Sequence, residues 1–221
     1  MRTNHTVRLR ASGRYASGLL LTEALIDAAL AIHSGHGASD FQSQAAQRAG
    51  FILTAAHFLR GPAGDGTIEV HSSNFTGTAQ GYVAIFGTDI AVLKLDGLAP
   101  TTQLPGISPW QLSPGQHTIT HGFGGRSTAR APKQLHGKVL FKVPFAVSRN
   151  PFTRLRHGAM ILNTPEPAIR GDSGGPVLAD GLVYGLQSMI TDPFGINTRV
   201  ATVATLSQHL PAIKRAMERL S

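Results

Sequence analysis

Apolar residues recur along this chain in short runs: TVRLR, SGLLL, GFILT, TIEVHS, GYVAIF, IAVLKL, HTITHGF, GKVLFKV, GAMIL, GPVL, LVYGLQSMI and NTRVATV. Gly, Pro, Asn or Asp stands in most of the gaps. Such runs predict short antiparallel strands in barrels or sandwiches, and so an all-β protein. A Pro-containing stretch at Leu98–Pro114 divides the runs into two comparable groups, which predicts two β-barrels joined by a connector. No solenoid period is present.

Two segments change character. About Thr22 to Ile32 reads as a short amphipathic helix inserted near the N-terminus. At the end of the chain, Leu206, Leu210, Ile213, Met217 and Leu220 fall at i, i+4, i+7, i+11 and i+14, the apolar face of a helix over about 205–220. Lys214, Arg215 and Arg219 lie near its C-terminus, where the helix dipole favours cations. The polar, Gly/Ser/Gln-rich region His33–Gln47 reads as an exposed loop.

With 221 residues, of which 42% are hydrophobic, the chain can bury a substantial core. It contains no Cys, so no disulfide holds the fold, and this fits a reducing compartment. The N-terminal arginines before GLLLTEALIDAALAI imitate a signal peptide, but Glu23 and Asp27 interrupt the apolar stretch. It is also too short and polar to span a bilayer. The expectation is a cytoplasmic protein without a membrane partner.

Charge is unevenly placed. Between His121 and Arg170 nine basic residues face Glu166 alone, which accounts for the whole formal charge of +8. The segment 126–156 is therefore a candidate surface for an acidic protein or peptide. Phe123, Phe141, Phe145 and Phe152 do not alternate with its basic residues as stacking platforms would, which argues against a nucleic-acid partner.

The candidate chemistry begins at GDSGGP, Gly171–Pro176. A serine hydroxyl needs a base to become a nucleophile and donors for the oxyanion it creates, and glycines expose backbone N–H groups to a substrate. FILTAAHFL places His57 just after an apolar strand, and GTDIAVLKL places Asp89 just before another. Each taken alone is an ordinary core histidine or turn residue. Together they give the chain order His, Asp, Ser.

On LTAAH, DIAVLKL and GDSGGP the chain resembles the trypsin/chymotrypsin-like serine proteases. The resemblance runs from about Thr6 onward, is weakest between Thr22 and Gly50, and gains softer support from GFG at Gly122–Gly124. It implies two six-stranded Greek-key β-barrels within one peptidase domain over 1–221: a first barrel at about 5–105, a second at about 114–204, then the helix. It also implies a catalytic triad of His57, Asp89 and Ser173, with an oxyanion hole from the amides of Gly171 and Ser173. Ser188 would pair with substrate backbone and hydrogen-bond Asp89, with Arg170 and Met189 also at the substrate.

The resemblance implies a specificity pocket as well. The position six residues before the serine, its base, is Pro167, and two wall positions fall at Ile190 and Gly195. An uncharged floor and a branched wall predict preference for a small or medium apolar residue before the scissile bond. Glu166, adjoining the base, would restore a basic preference if the alignment shifted by one residue. Family members activated by cleavage free an Ile-Val-Gly-Gly terminus whose amine pairs with the Asp preceding the serine. Here that residue is Asp172 and no such tetrapeptide exists. Either Asp172 finds an internal partner or its loop is ordered another way.

No metal or cofactor is expected. HSGH at His33–His36 lacks an accompanying carboxylate or cysteine cluster. RGD at Arg170–Asp172 belongs to the serine loop. NHT and NFT match a glycosylation acceptor pattern that has little meaning without a secretory signal. Against an active endopeptidase stand two other readings: a catalytically silent module that binds partners, and a basic nucleic-acid surface.

Overall fold

The computed structural model describes residues 5–35, 48–61, 66–101, 103–148 and 153–221. Its β-strands are β1 (Thr6–Ala11), β2 (Arg14–Leu21), β3 (Arg48–Ala55), β4 (Ile68–His71), β5 (Thr76–Ala84), β6 (Ile90–Pro100), β7 (His117–Gly122), β8 (Lys133–Val147), β9 (Arg154–Asn163), β10 (Pro176–Ala179), β11 (Leu182–Ile190) and β12 (Val200–Thr205). Two helices accompany them, α1 (Glu23–His33) and α2 (Leu210–Leu220). Each apolar run in the sequence becomes one strand.

The strands close into two antiparallel barrels, ordered β1-β2-β3-β6-β5-β4 and β7-β8-β9-β12-β11-β10, so both halves share one topology. Closure leaves no unpaired sheet edge. Alternation alone does not explain the burial: β3 is covered from Ala49 to Ala55, because its second face packs against other elements. Leu53, Val92 and Leu93 are fully buried in the first barrel, and Val177, Val183 and Val203 in the second.

The helices differ slightly from expectation. Thr22 is the cap of α1 rather than its first residue, and its hydroxyl accepts from the Leu25 amide at 3.4 Å. α2 begins at Leu210, later than the apolar periodicity indicates, with Pro211 in its first turn, where a missing N–H costs nothing. A single 3₁₀ turn at Ser207–His209 precedes it. Lys214 bridges the helices, 3.4 Å from Glu23 and 3.0 Å from Asp27, so the acids that interrupt the apolar stretch face the other helix. β6 extends through Pro100, so the connector begins later than Leu98. Neither helix is long and apolar enough to cross a membrane. Residues 36–47, most of the loop expected at His33–Gln47, lie outside the described residues, as do Asn4 and Arg149.

A buried histidine pair is among the polar contacts that join the barrels. His5 Nε2 lies 3.0 Å from His121 Nδ1, an arrangement in which one ring donates and the other, necessarily neutral, accepts. Burial, reinforced by His121, pushes His5 down to about 3, and burial pushes His121 down to about 4. His209 is lowered too, again mainly by burial. The unfolded chain therefore binds more protons below the ordinary histidine pKa of about 6.5. The stability from this pair is complete above that pH and is lost as pH falls through about 4 toward about 3. Thermal unfolding should show the midpoint falling on acidification, and falling less steeply in the His5→Gln/His121→Gln variant. Equal slopes in the two proteins would contradict this assignment.

Candidate active site

Strand pairing explains how residues distant in sequence meet. β3 and β6 are antiparallel, with Ala55 opposite Ile90. The residues just after β3 and just before β6 are therefore neighbours. His57 lies in the 3₁₀ turn Ala56–Leu59, and the Ala56 amide donates to the Asp89 carbonyl at 3.2 Å. The Asp89 side chain is fully buried and meets three donors. His57 Nδ1 is 2.7 Å from Oδ2, the His57 backbone N–H is 2.8 Å from Oδ1, and the Ser188 hydroxyl is 2.5 Å from Oδ2. A carboxylate can only accept, so the Nδ1 contact places a proton there and leaves Nε2 as the acceptor.

Ser173 comes from the second barrel, in the turn leading into β10. Its hydroxyl donates to the Ser188 carbonyl at 3.2 Å, and no hydrogen bond to His57 is formed among the described residues. Catalytic hydrogen bonds often tighten only when substrate binds. The amides of Gly171 and Ser173 likewise have no acceptor among the described residues. Gly171 has φ +100°, and a Cβ there would collide with the Tyr15 ring, so this position requires glycine.

The loop carrying these amides is held from the first barrel. Ser17 on β2 receives the Phe123 amide at 2.9 Å, donates its hydroxyl to the Gly171 carbonyl at 2.7 Å, and gives its own N–H to the Ser173 carbonyl at 2.8 Å. Ser17 is fully buried. Sequence reasoning missed it; the one signal was a serine set against the apolar run GLLL.

Two cavities flank Ser173 and His57. One, of about 630 Å³, is walled by Met160, Ile169, Met189, Ile190 and Thr202, with Arg170 and Ser188 also in its lining. The other, of about 350 Å³, lies against Gly13–Ala16, Phe58, Arg170 and Gly171. Pro167 and Gly195 are absent from both linings. Ile169 and Met160 line the larger cavity. Glu166 is exposed and lines neither cavity, whereas Asp192 contributes to the rim of the larger one. A further cavity, of about 400 Å³, shares Phe145 with the larger one and is bordered by Arg60, Arg154 and Arg156. His33 of the HSGH motif is 3.2 Å from the Pro109 carbonyl, and His36 lies outside the described residues.

Residues 36–210 match the family described as Trypsin. The chain belongs to the trypsin family. No curated protein matches it in sequence. Among solved structures, the active form of the Rv3671c protease from M. tuberculosis aligns over 96% of this chain and 81% of its own, at 13% identity and TM-score 0.68. Kallikrein-related peptidase 10 aligns over 98% and 96%, at 16% identity and TM-score 0.66. The MamO protease domain from Magnetospirillum magneticum aligns over 95% of both chains, at 19% identity and TM-score 0.60. At these identities the likeness is one of fold. Family membership makes the chain a serine-protease-type peptidase in general terms, and the trypsin fold accounts for the paired barrels with the site between them.

Proposed function

We propose that this trypsin-family protein is an active serine endopeptidase with His57, Asp89 and Ser173 as its triad. The observation that carries the reading is the Asp89 network, in which a buried carboxylate orients His57 beside a serine, with cavities on both sides. An endopeptidase needs room on both sides of the scissile bond. In this mechanism His57 Nε2 takes the Ser173 proton as the hydroxyl attacks the carbonyl, then gives it to the leaving amine. Asp89 fixes the tautomer and stabilises the imidazolium. The amides of Gly171 and Ser173 hold the oxyanion, an interaction worth about 3 kcal/mol per donor. Water then attacks the acyl-enzyme, His57 acting as base again.

The larger cavity favours an apolar residue before the scissile bond, through Met160, Ile169, Met189 and Ile190 rather than through Pro167. The arginines of the neighbouring cavity favour an acidic side chain further toward the substrate's N-terminus. Profiling on a peptide library should return cleavage after Ala, Val, Leu or Met, enriched for upstream Asp or Glu. Discrimination by size should be modest, about 1–3 kcal/mol per methylene. Dominant cleavage after Arg or Lys would contradict the pocket assignment.

A further inference from the structure

Lys133 was counted in the sequence among the basic residues of an exposed surface, yet its side chain is only 12% exposed and its ammonium lies 3.5 Å from Asp172 Oδ2. Asp172 stands between the two residues whose amides would receive the oxyanion, and its carboxylate is fully buried. A buried carboxylate is costly without hydrogen bonds and a counter-charge. Both are present: the Gly124 amide donates to Oδ1 at 2.7 Å and the Ile169 amide to Oδ2 at 2.9 Å. Burial pushes the Asp172 carboxyl up, and the Ile169 amide, the Lys133 charge and the Gly124 amide oppose that rise. The cradle fits the carboxylate closely, since a Cβ at Gly124 would overlap its oxygens.

We propose that Lys133 is a positioning residue: its ammonium is the resident counter-charge that holds Asp172 inward and thereby keeps the Gly171 and Ser173 amides aimed at the oxyanion. The inference rests on the peptidase reading above and supplies its activation state. Lys133 opens β8 and is paired with Gly122 of β7, so the barrel framework itself delivers the cation. Asp172 is fixed along its main chain too, its N–H donating to Ile169 at 3.1 Å and its carbonyl accepting from Gly175 at 2.9 Å. Turning the side chain outward would therefore re-aim the peptide groups on either side. No newly freed chain terminus is required for the loop to stand in place.

The test measures kcat and KM on a fluorogenic peptide with an apolar residue before the scissile bond, together with thermal unfolding. The proteins are the full chain, the same chain with an uncleaved N-terminal extension, Lys133→Met, Lys133→Arg, Lys133→Gln, Asp172→Asn and Lys133→Met/Asp172→Asn. The extended chain should match the unextended one. Lys133→Met should lose about 100-fold or more in kcat, the size of losing an oxyanion donor, with KM changed only a few-fold. Lys133→Arg should recover most of that loss. Lys133→Gln, which keeps a neutral donor, supplies the kinetic answer if Lys133→Met does not fold, and should show the same kcat loss. Wild-type kcat in Lys133→Met or Lys133→Gln, or an extended chain that is inert until trimmed, would overturn the proposal. If the full chain itself neither cleaves peptides nor reacts with a fluorophosphonate, the peptidase reading fails. The unfolding data then still judge the pair: coupled effects of the Lys133 and Asp172 substitutions retain the resident counter-charge, and additive effects discard it.

Discussion

Replacing Ser173 by Ala should abolish peptide turnover, with a loss of about 10⁴-fold or more in kcat, while thermal unfolding stays near that of the wild type. Among the described residues the side chain makes one hydrogen bond, to the Ser188 carbonyl, so its removal costs the fold little. His57→Ala should cost about as much, because nucleophile and base act as one unit and removing either leaves only the oxyanion donors and substrate binding. The double variant should therefore be scarcely slower than either single one. Hydrolysis of the same peptide, followed under single-turnover conditions, measures all three. Turnover retained in Ser173→Ala would mean that another group is the nucleophile.

Asp89→Asn should reduce kcat by about 10⁴-fold through a different physical route. The amide is nearly isosteric, so the packing around this fully buried position survives. Its Oδ atom, however, can accept from only some of the three donors now shared by the carboxylate: His57 Nδ1, the His57 N–H and the Ser188 hydroxyl. An NH₂ directed at His57 Nδ1 would require that nitrogen to accept, moving the ring proton to Nε2, where it blocks removal of the Ser173 proton. The loss should ease as pH rises and hydroxide substitutes for the missing base. A variant of near wild-type rate at neutral pH would show that Asp89 does not govern the tautomer.

Much of this architecture is readable from the chain because barrel strands announce themselves locally. The runs GFILT and IAVLKL are short, apolar and bounded by turn residues, and their antiparallel pairing alone brings His57 to Asp89. GDSGGP is similarly local, since the backbone conformation of this serine turn needs glycine at fixed places, Gly171 among them. Contacts between barrels carry no such signature. Ser17 meets Gly171 across 154 positions of sequence, and in YASGLLL only a serine beside an apolar run hints at it. Lys133 was hidden for the opposite reason: a lysine among basic neighbours looks like surface charge, and only the burial of Asp172 reveals its direction. The outline of the larger cavity was less legible, because counting back from Ser173 to Pro167 assumes a loop of fixed shape. The chain instead turns so that Ile169 lines the cavity and Pro167 does not.

The central claim is that Ser173 is an activated nucleophile, and reaction with a fluorophosphonate reads that property without presuming a substrate. Intact mass followed by peptide mapping of the full chain should show one adduct, on Ser173, absent from Ser173→Ala and formed far more slowly in His57→Ala. A full chain that remains unlabelled, or an adduct mapped to any residue but Ser173, would contradict it.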